Sequence, residues 1–326
     1  MPVLDFHSHF YPQAYLDAVR SGLSAVRLTM DGEGHPRLHY PGDYNIVVRG
    51  HRDIDFRERV LADHGVDVQL LTFTTPGTHV ESPATAARLA SLVNDALASV
   101  VREKAGRFAA LGTLPLNDAE ASAKELERAC RQLGLRGAMI FSNVNGVALS
   151  DARFWPVYEA ASDLEAVLYI HPTHPVGVEA MMDFWLMPLV GFLFDTTLAA
   201  AKLVFSGVVE RFPRIIWVLG HLGGAIPYLA ERLDRGFHAF SECRANITRL
   251  PSEYLKQFYY DTVNFYVNAL RLAISFAGAD HLLAGSDYPH QIGSLPSMLG
   301  SIRALGVSES DRAGILGNNA ARLLKL

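Results

Sequence analysis

The sequence predicts a single (β/α)8 barrel over residues 1–326, with a small β-hairpin inserted after its first strand at about residues 22–57. Three observations carry that expectation. Eight short apolar runs bounded by turn residues recur along the chain, separated by stretches long enough for helices. Several runs are continuously apolar rather than alternating, as parallel strands covered on both faces should be. No G-x-G-x-x-G follows the first run, which weakens the main rival, an open doubly wound sheet.

In chain order, the first strand covers residues 3–6. The insertion follows, with Gly, Pro, Asp and Tyr at short intervals, and leads into a helix that ends near His64. Placed there, it overhangs the C-terminal mouth of the barrel. Strands at 67–73, 108–113 and 137–141 come next. The helix at 83–104 is rich in Ala and Leu with charges spaced along one face, and the helix at 118–133 opens on an acidic turn. The remaining strands are expected at 166–170, 215–220, 258–262 and 281–285. Residues 184–209 form the most apolar stretch, but Asp195 and Lys202 interrupt it, so it reads as a buried or interfacial helix rather than a membrane span.

With 49% hydrophobic and 19% charged residues, the composition is that of a soluble globular protein. A net charge of −5 and no polybasic run argue against a nucleic-acid binder, because phosphate neutralisation needs a basic surface. The opening MPVLDFHSHF has neither a basic nor a long apolar segment of the secretory kind. Cys130 and Cys243 stand far apart, which fits a reducing compartment and predicts a cytoplasmic protein without a disulfide framework.

The informative polar residues follow the apolar strands on their C-terminal side, where a barrel assembles its active site. His7 and His9, two apart in extended chain, point the same way and can converge on one ion. His171 follows the fifth strand, His221 the sixth, and Asp287 the eighth. Any one of them alone reads as a hydrogen-bonded structural residue. Their joint occurrence points to a metal site.

The motifs HSH at 7–9, HP at 171–172, GHLGG at 220–224 and GSDYP at 285–289 together resemble the amidohydrolase superfamily, in particular its branch of metal-dependent decarboxylases. The likeness extends to GVDVQ at 65–69, SGVVERFPRI at 206–215, PSEY at 251–254 and the C-terminal GNNAARLLKL. By that resemblance His7, His9, His171 and Asp287 are ligands of one divalent ion, and His221 is the catalytic histidine beside the metal-bound water, with Asp287 exchanging a proton. Three imidazoles and one carboxylate suit Zn2+, with Mn2+ the alternative. His7, where decarboxylase relatives often carry Glu, favours the muconate-type pattern over the resorcylate type. Binuclear members carry a carboxylated lysine after strand four; here Phe141-Ser142-Asn143 stands there, so one metal is expected.

The resemblance implies nonoxidative decarboxylation of an unsaturated or aromatic carboxylic acid. The alternative is hydrolysis of a lactone, amide or carbon–carbon bond. Arg49 and Arg52, on the overhanging insertion, are the candidates to hold the small-molecule acid through a bidentate carboxylate contact. His174 and His290 add imidazoles at the mouth, and Trp185 is the aromatic of the 184–194 segment placed nearest the pocket. Relatives pair through the apolar 184–209 region, so a homodimer is expected.

Overall fold

The computed structural model describes residues 2–326. Eight parallel strands close on themselves. They are β1 (Leu4–Asp5), β2 (Val68–Leu71), β3 (Phe108–Ala110), β4 (Gly137–Phe141), β5 (Val167–His171), β6 (Ile216–Leu219), β7 (Tyr259–Asp261) and β8 (Leu282–Leu283). Neighbours pair in sequence order, β1 with β2 and β2 with β3, and then β4 through to β8. Two narrower seams complete the circle. Gly112 bridges Ala138 between β3 and β4, and Phe6 N–H donates to Ala284 O while Ser8 bridges Tyr288 between β1 and β8. The fold is therefore the expected (β/α)8 barrel.

Strand composition explains the closure. Every residue of β4 and β5 is buried, since the inward side chains fill the barrel and the outward ones meet helices. Between strands run Pro83–Glu103, Ala119–Arg131 and Trp155–Leu164, and the first two start where Ser82 and Asp118 accept from Thr85 N–H and Ala121 N–H. The apolar 184–209 stretch becomes a wide turn at Met187–Gly191 followed by the helix Phe192–Phe205. Met187–Phe205 is long and apolar enough to cross a membrane, but here it is the β5–β6 barrel helix. Its buried Asp195 accepts from Ser142 Oγ and Asn143 Nδ2, just beyond β4, and Ala199, Ala200, Leu203 and Val204 pack inward.

Two expectations need correction. The insertion is a three-stranded antiparallel sheet, Arg27–Met30, Pro36–Tyr40 and Asp43–Ile46, rather than a hairpin. The physical reason is that the segment holds two turns. The Asp31 side chain accepts from Glu33 and His35 N–H in the first, and Pro41-Gly42 sits between Tyr40 and Asp43 in the second, with Gly42 at φ 83°. The short helices Arg49–Arg52 and Ile54–Asp63 then return the chain to β2. At the other end, His281 belongs to a helical turn, Ala279–His281, and not to the eighth strand. Asn319 Nδ2 donates to the carbonyls of both Ala279 and Leu282 and holds that corner.

Candidate metal centre

The C-terminal ends of β1, β5, β6, β7 and β8 bring six polar side chains together in one buried cluster: His7, His9, His171, His221, Asp261 and Asp287. His7, His9, His171 and Asp287 present ligand atoms that all lie within 4.8 Å of one another. His7 Nε2 is 3.1 Å from His9 Nε2, and Asp287 Oδ1 is 3.0 Å from His9 Nε2 and 3.3 Å from His7 Nε2. These spacings suit donors around a small cation, since tetrahedral bonds of about 2.1 Å set donors about 3.4 Å apart.

The far side of each ring is already engaged. His7 Nδ1 is 2.7 Å from Asp261 Oδ2, His9 Nδ1 is 3.2 Å from Thr72 Oγ1, and His171 Nδ1 is 2.8 Å from Pro172 O. Each Nε2 is thereby directed to the shared point. His171 Nε2 is buried with no hydrogen-bond partner. A buried, unpaired ring nitrogen is costly unless an ion or ligand meets it, so the donor set fits a divalent metal.

Electrostatics follow from burial and pairing. Burial pushes the His9 and His171 imidazoles well below their usual pKa, so both favour the neutral form that ligates. Burial alone would lift the Asp287 carboxyl, but the neighbouring His221 and His9 outweigh it and hold it well below the usual range. Asp261 is likewise depressed by His7 in spite of its burial.

His221 sits in the turn after β6 with its Nε2 3.9 Å from Asp287 Oδ2. Both His221 (φ 53°) and Asp287 (φ 60°) occupy the left-handed region, which costs of order 1 kcal/mol each for such residues. Backbone bonds hold them there. His221 N–H donates to Asp261 Oδ2 and Asp287 N–H to the His7 carbonyl.

A cavity of about 500 Å³ opens onto this centre, between the insertion and the 185–192 segment. Trp185 and His290 line it. Trp185 stands edge-on to Tyr44 at 6.2 Å, and the His290 ring lies 4.7 Å from that of His9.

Arg49, Arg52 and His174 are placed elsewhere. On the Arg49–Arg52 turn the buried residues are Gly50 and His51, and neither arginine lines the cavity. Arg49 pairs with Asp53 at 2.8 Å and lies over the Phe56 ring. His174 packs under the Gly42 turn, off the cavity wall.

Two residues escaped the sequence reading. Asp261 could have been found by the rule applied to its neighbours, because it is an acid at the C-terminal end of an apolar strand. His51 gave no such signal, because it lies inside the insertion and its burial is purely tertiary.

A family model described as amidohydrolase matches residues 4–326. The chain is 36% identical over 279 residues to a 2-amino-3-carboxymuconate-6-semialdehyde decarboxylase of Dictyostelium discoideum, covering 84% of this chain and 77% of that relative. A solved 5-carboxyvanillate decarboxylase from Sphingomonas paucimobilis matches with a TM-score of 0.84 at 30% identity, over 100% of this chain and 99% of the other. A dihydroxybenzoic acid decarboxylase from Polaromonas sp. JS666, with bound manganese and the inhibitor 2-nitroresorcinol, matches with a TM-score of 0.85 at 26% identity, over 100% and 97%.

Proposed function

The chain belongs to the amidohydrolase family, and from that membership we propose that it is a metal-dependent, nonoxidative decarboxylase of an aromatic carboxylic acid. The observation that carries the reading is the buried convergence of His7, His9, His171 and Asp287 at the floor of a largely apolar cavity. Loss of CO2 takes precedence over hydrolysis because the similar enzymes of known activity are decarboxylases.

A divalent ion held by His7, His9, His171 and Asp287 would supply Lewis-acid polarisation of the bound acid. The protein's own groups supply orientation and the proton. Asp287 has one oxygen turned to His7 and His9 and the other to His221, so a single carboxylate can serve as ligand and exchange a proton with the imidazole. In the reaction the ring carbon gains that proton, the bond to the carboxylate breaks, and its electron pair stays on the ring as CO2 departs. Apolar side chains from Met187, Leu189 and Phe192 exclude water around the reacting ring.

Zinc is the ion we assign, on the strength of three imidazole donors, and manganese is the alternative because the Polaromonas enzyme holds it. The unpaired Cys130 and Cys243 support a cytoplasmic location. Metal analysis with CO2 release from a panel of hydroxybenzoates tests the reading, using protein loaded with zinc or with manganese. About one ion per chain is expected, with turnover lost on chelation. Full activity without metal overturns it, and a stoichiometry near two revives a binuclear centre.

A further inference from the structure

A buried polar chain runs behind the metal centre, on the far side of the segment that carries His7 and His9. In extended backbone those two side chains face one way and Ser8 the other. Ser8 Oγ donates to Leu70 O at 2.7 Å and accepts from Arg57 Nη1 at 3.0 Å. Arg57, from the helix Ile54–Asp63, is wholly buried and uses every N–H of its guanidinium. Nε and Nη2 both donate to the Gly50 carbonyl in the insertion, Nη2 also to the His9 carbonyl, and Nη1 to Ser8 and to Gln69 Oε1 at 2.8 Å. Gln69 Nε2 in turn donates to Asp5 Oδ2 at 2.6 Å. Asp5 ends the chain by accepting from Ser286 Oγ at 2.5 Å, Ser286 N–H at 2.9 Å and His7 N–H at 3.2 Å.

The two charged ends therefore grip the backbone of the ligand segments. Arg57 holds the peptide of His9, and Asp5 holds those of His7 and of Ser286, the residue before Asp287. Gln69 joins them in one orientation, its carbonyl toward the cation and its NH2 toward the anion. Burying two charges costs hydration, and such a pair is commonly no more stabilising than apolar residues of the same volume. What this one supplies is fixed spacing, because its bonds end on β1, β2, the turn after β8 and the insertion.

Resting on the reading of His7, His9, His171 and Asp287 as metal ligands, we propose that Arg57, Gln69 and Asp5 work as one positioning unit that sets the spacing of His7, His9 and Asp287, with Gln69 coupling the two charges. The order of donors and acceptors makes the unit act as a whole. An amide at position 5 would set its NH2 against that of Gln69. If Gln69 turned over to accept it, its own NH2 would face the Arg57 guanidinium. A change at Asp5 is thus felt at His9, and a change at Arg57 is felt at His7.

Exchanging that order tests the proposal. Gln69→Glu alone sets two carboxylates against each other, and Asp5→Asn alone sets two NH2 groups against each other. The double variant, Asp5→Asn with Gln69→Glu, reverses donor and acceptor, keeps the net charge and rebuilds the link to Arg57. Each full-length protein is loaded with Zn2+ for chelator competition and with Co2+ for its visible absorption bands, which report ligand geometry, and is melted free of metal. Each single variant should bind Zn2+ about tenfold more weakly and shift the Co2+ bands. The double variant should return to within about threefold of wild type, with wild-type bands. Losses that multiply in the double variant overturn the proposal. So do single variants with a lowered melting temperature but unchanged affinity and bands, the result a mere brace would give. Where a single variant does not fold, Arg57→Lys, which keeps the charge and loses the fork of donors, takes its place. It should show the same weakened affinity and shifted bands, and wild-type values there overturn the proposal. A wild type that binds no metal overturns the metal-centre reading and the inference with it. A wild type that binds metal but releases CO2 from no acid fails the decarboxylase reading alone, and the affinities still decide the inference.

Discussion

Asp261 Oδ2 stands 2.7 Å from Nδ1 of His7, and the same oxygen accepts from the hydroxyl of Tyr169 at 2.7 Å and the backbone N–H of His221 at 3.1 Å. One carboxylate from β7 therefore orients a proposed ligand just past β1 and the backbone of His221 in the turn after β6. Asp261→Asn keeps one acceptor oxygen but sets an amide NH2 where the other oxygen accepts from Leu222 and Val263 N–H, and it removes the charge that raises the His7 pKa against its burial. Metal affinity should fall about 10- to 100-fold, as is usual when a carboxylate behind a ligating histidine is lost. Competition with a chelator of known affinity measures it. Unchanged affinity would show that Asp261 only braces the barrel.

His221 offers the complementary case. His7, His9, His171 and Asp287 form a sufficient ligand set without it, and its Nε2 is closest to the Asp287 oxygen turned away from the other histidines. His221→Asn should lower turnover by roughly 100- to 10,000-fold while metal content stays near wild type. Loss of the ion would make His221 a ligand. Normal turnover would move the proton-transfer role to another residue, with His290 on the cavity wall next in line.

Much of this centre was legible because the barrel converts sequence position into spatial position. A polar residue just past an apolar strand lands at one mouth, so His7, His9, His171, His221 and Asp287 could be placed together before any coordinates. What sequence spacing does not encode is which face a short non-repetitive turn buries. Arg49 and Arg52 have the chemistry to hold a carboxylate, but docking of Gly50 against Tyr288 turned His51 inward instead. His174, three residues past a ligand, was likewise captured by the Gly42 turn.

The outer face of the β5–β6 helix bears on assembly. Phe194 and Leu198, one turn apart, are 56% and 43% exposed, and Phe184, earlier in the same apolar stretch, is 85% exposed. An apolar stripe of this kind, on a helix whose other face is packed, is what a subunit interface would bury. We expect a homodimer by light scattering at micromolar concentration, and Phe194→Glu with Leu198→Glu should yield monomer with the barrel's melting transition preserved. A strictly monomeric wild type would refute the pairing.

His79 predicts how stability responds to acid. It is buried against the Phe141 ring at 4.8 Å, its Nδ1 has no partner, and burial pulls its pKa down to about 4. The unfolded chain should titrate this group near 6.5. Above that pH both states hold a neutral ring and the residue adds no pH dependence. As pH falls below it, the unfolded state takes up a proton that the folded state refuses until about 4, so stability is lost across that window and levels off beneath it. His79→Leu keeps an apolar side chain against Phe141 and removes the titration. In denaturant melts of metal-free protein, the variant's stability relative to wild type should therefore rise by roughly 2 kcal/mol between pH 7 and pH 5, at about 1.4 kcal/mol per pH unit within the window. His79 lies away from the proposed ligands, so the change should appear whether or not metal binds. A constant offset across that range would mean that the folded protein protonates His79 as readily as the unfolded chain does.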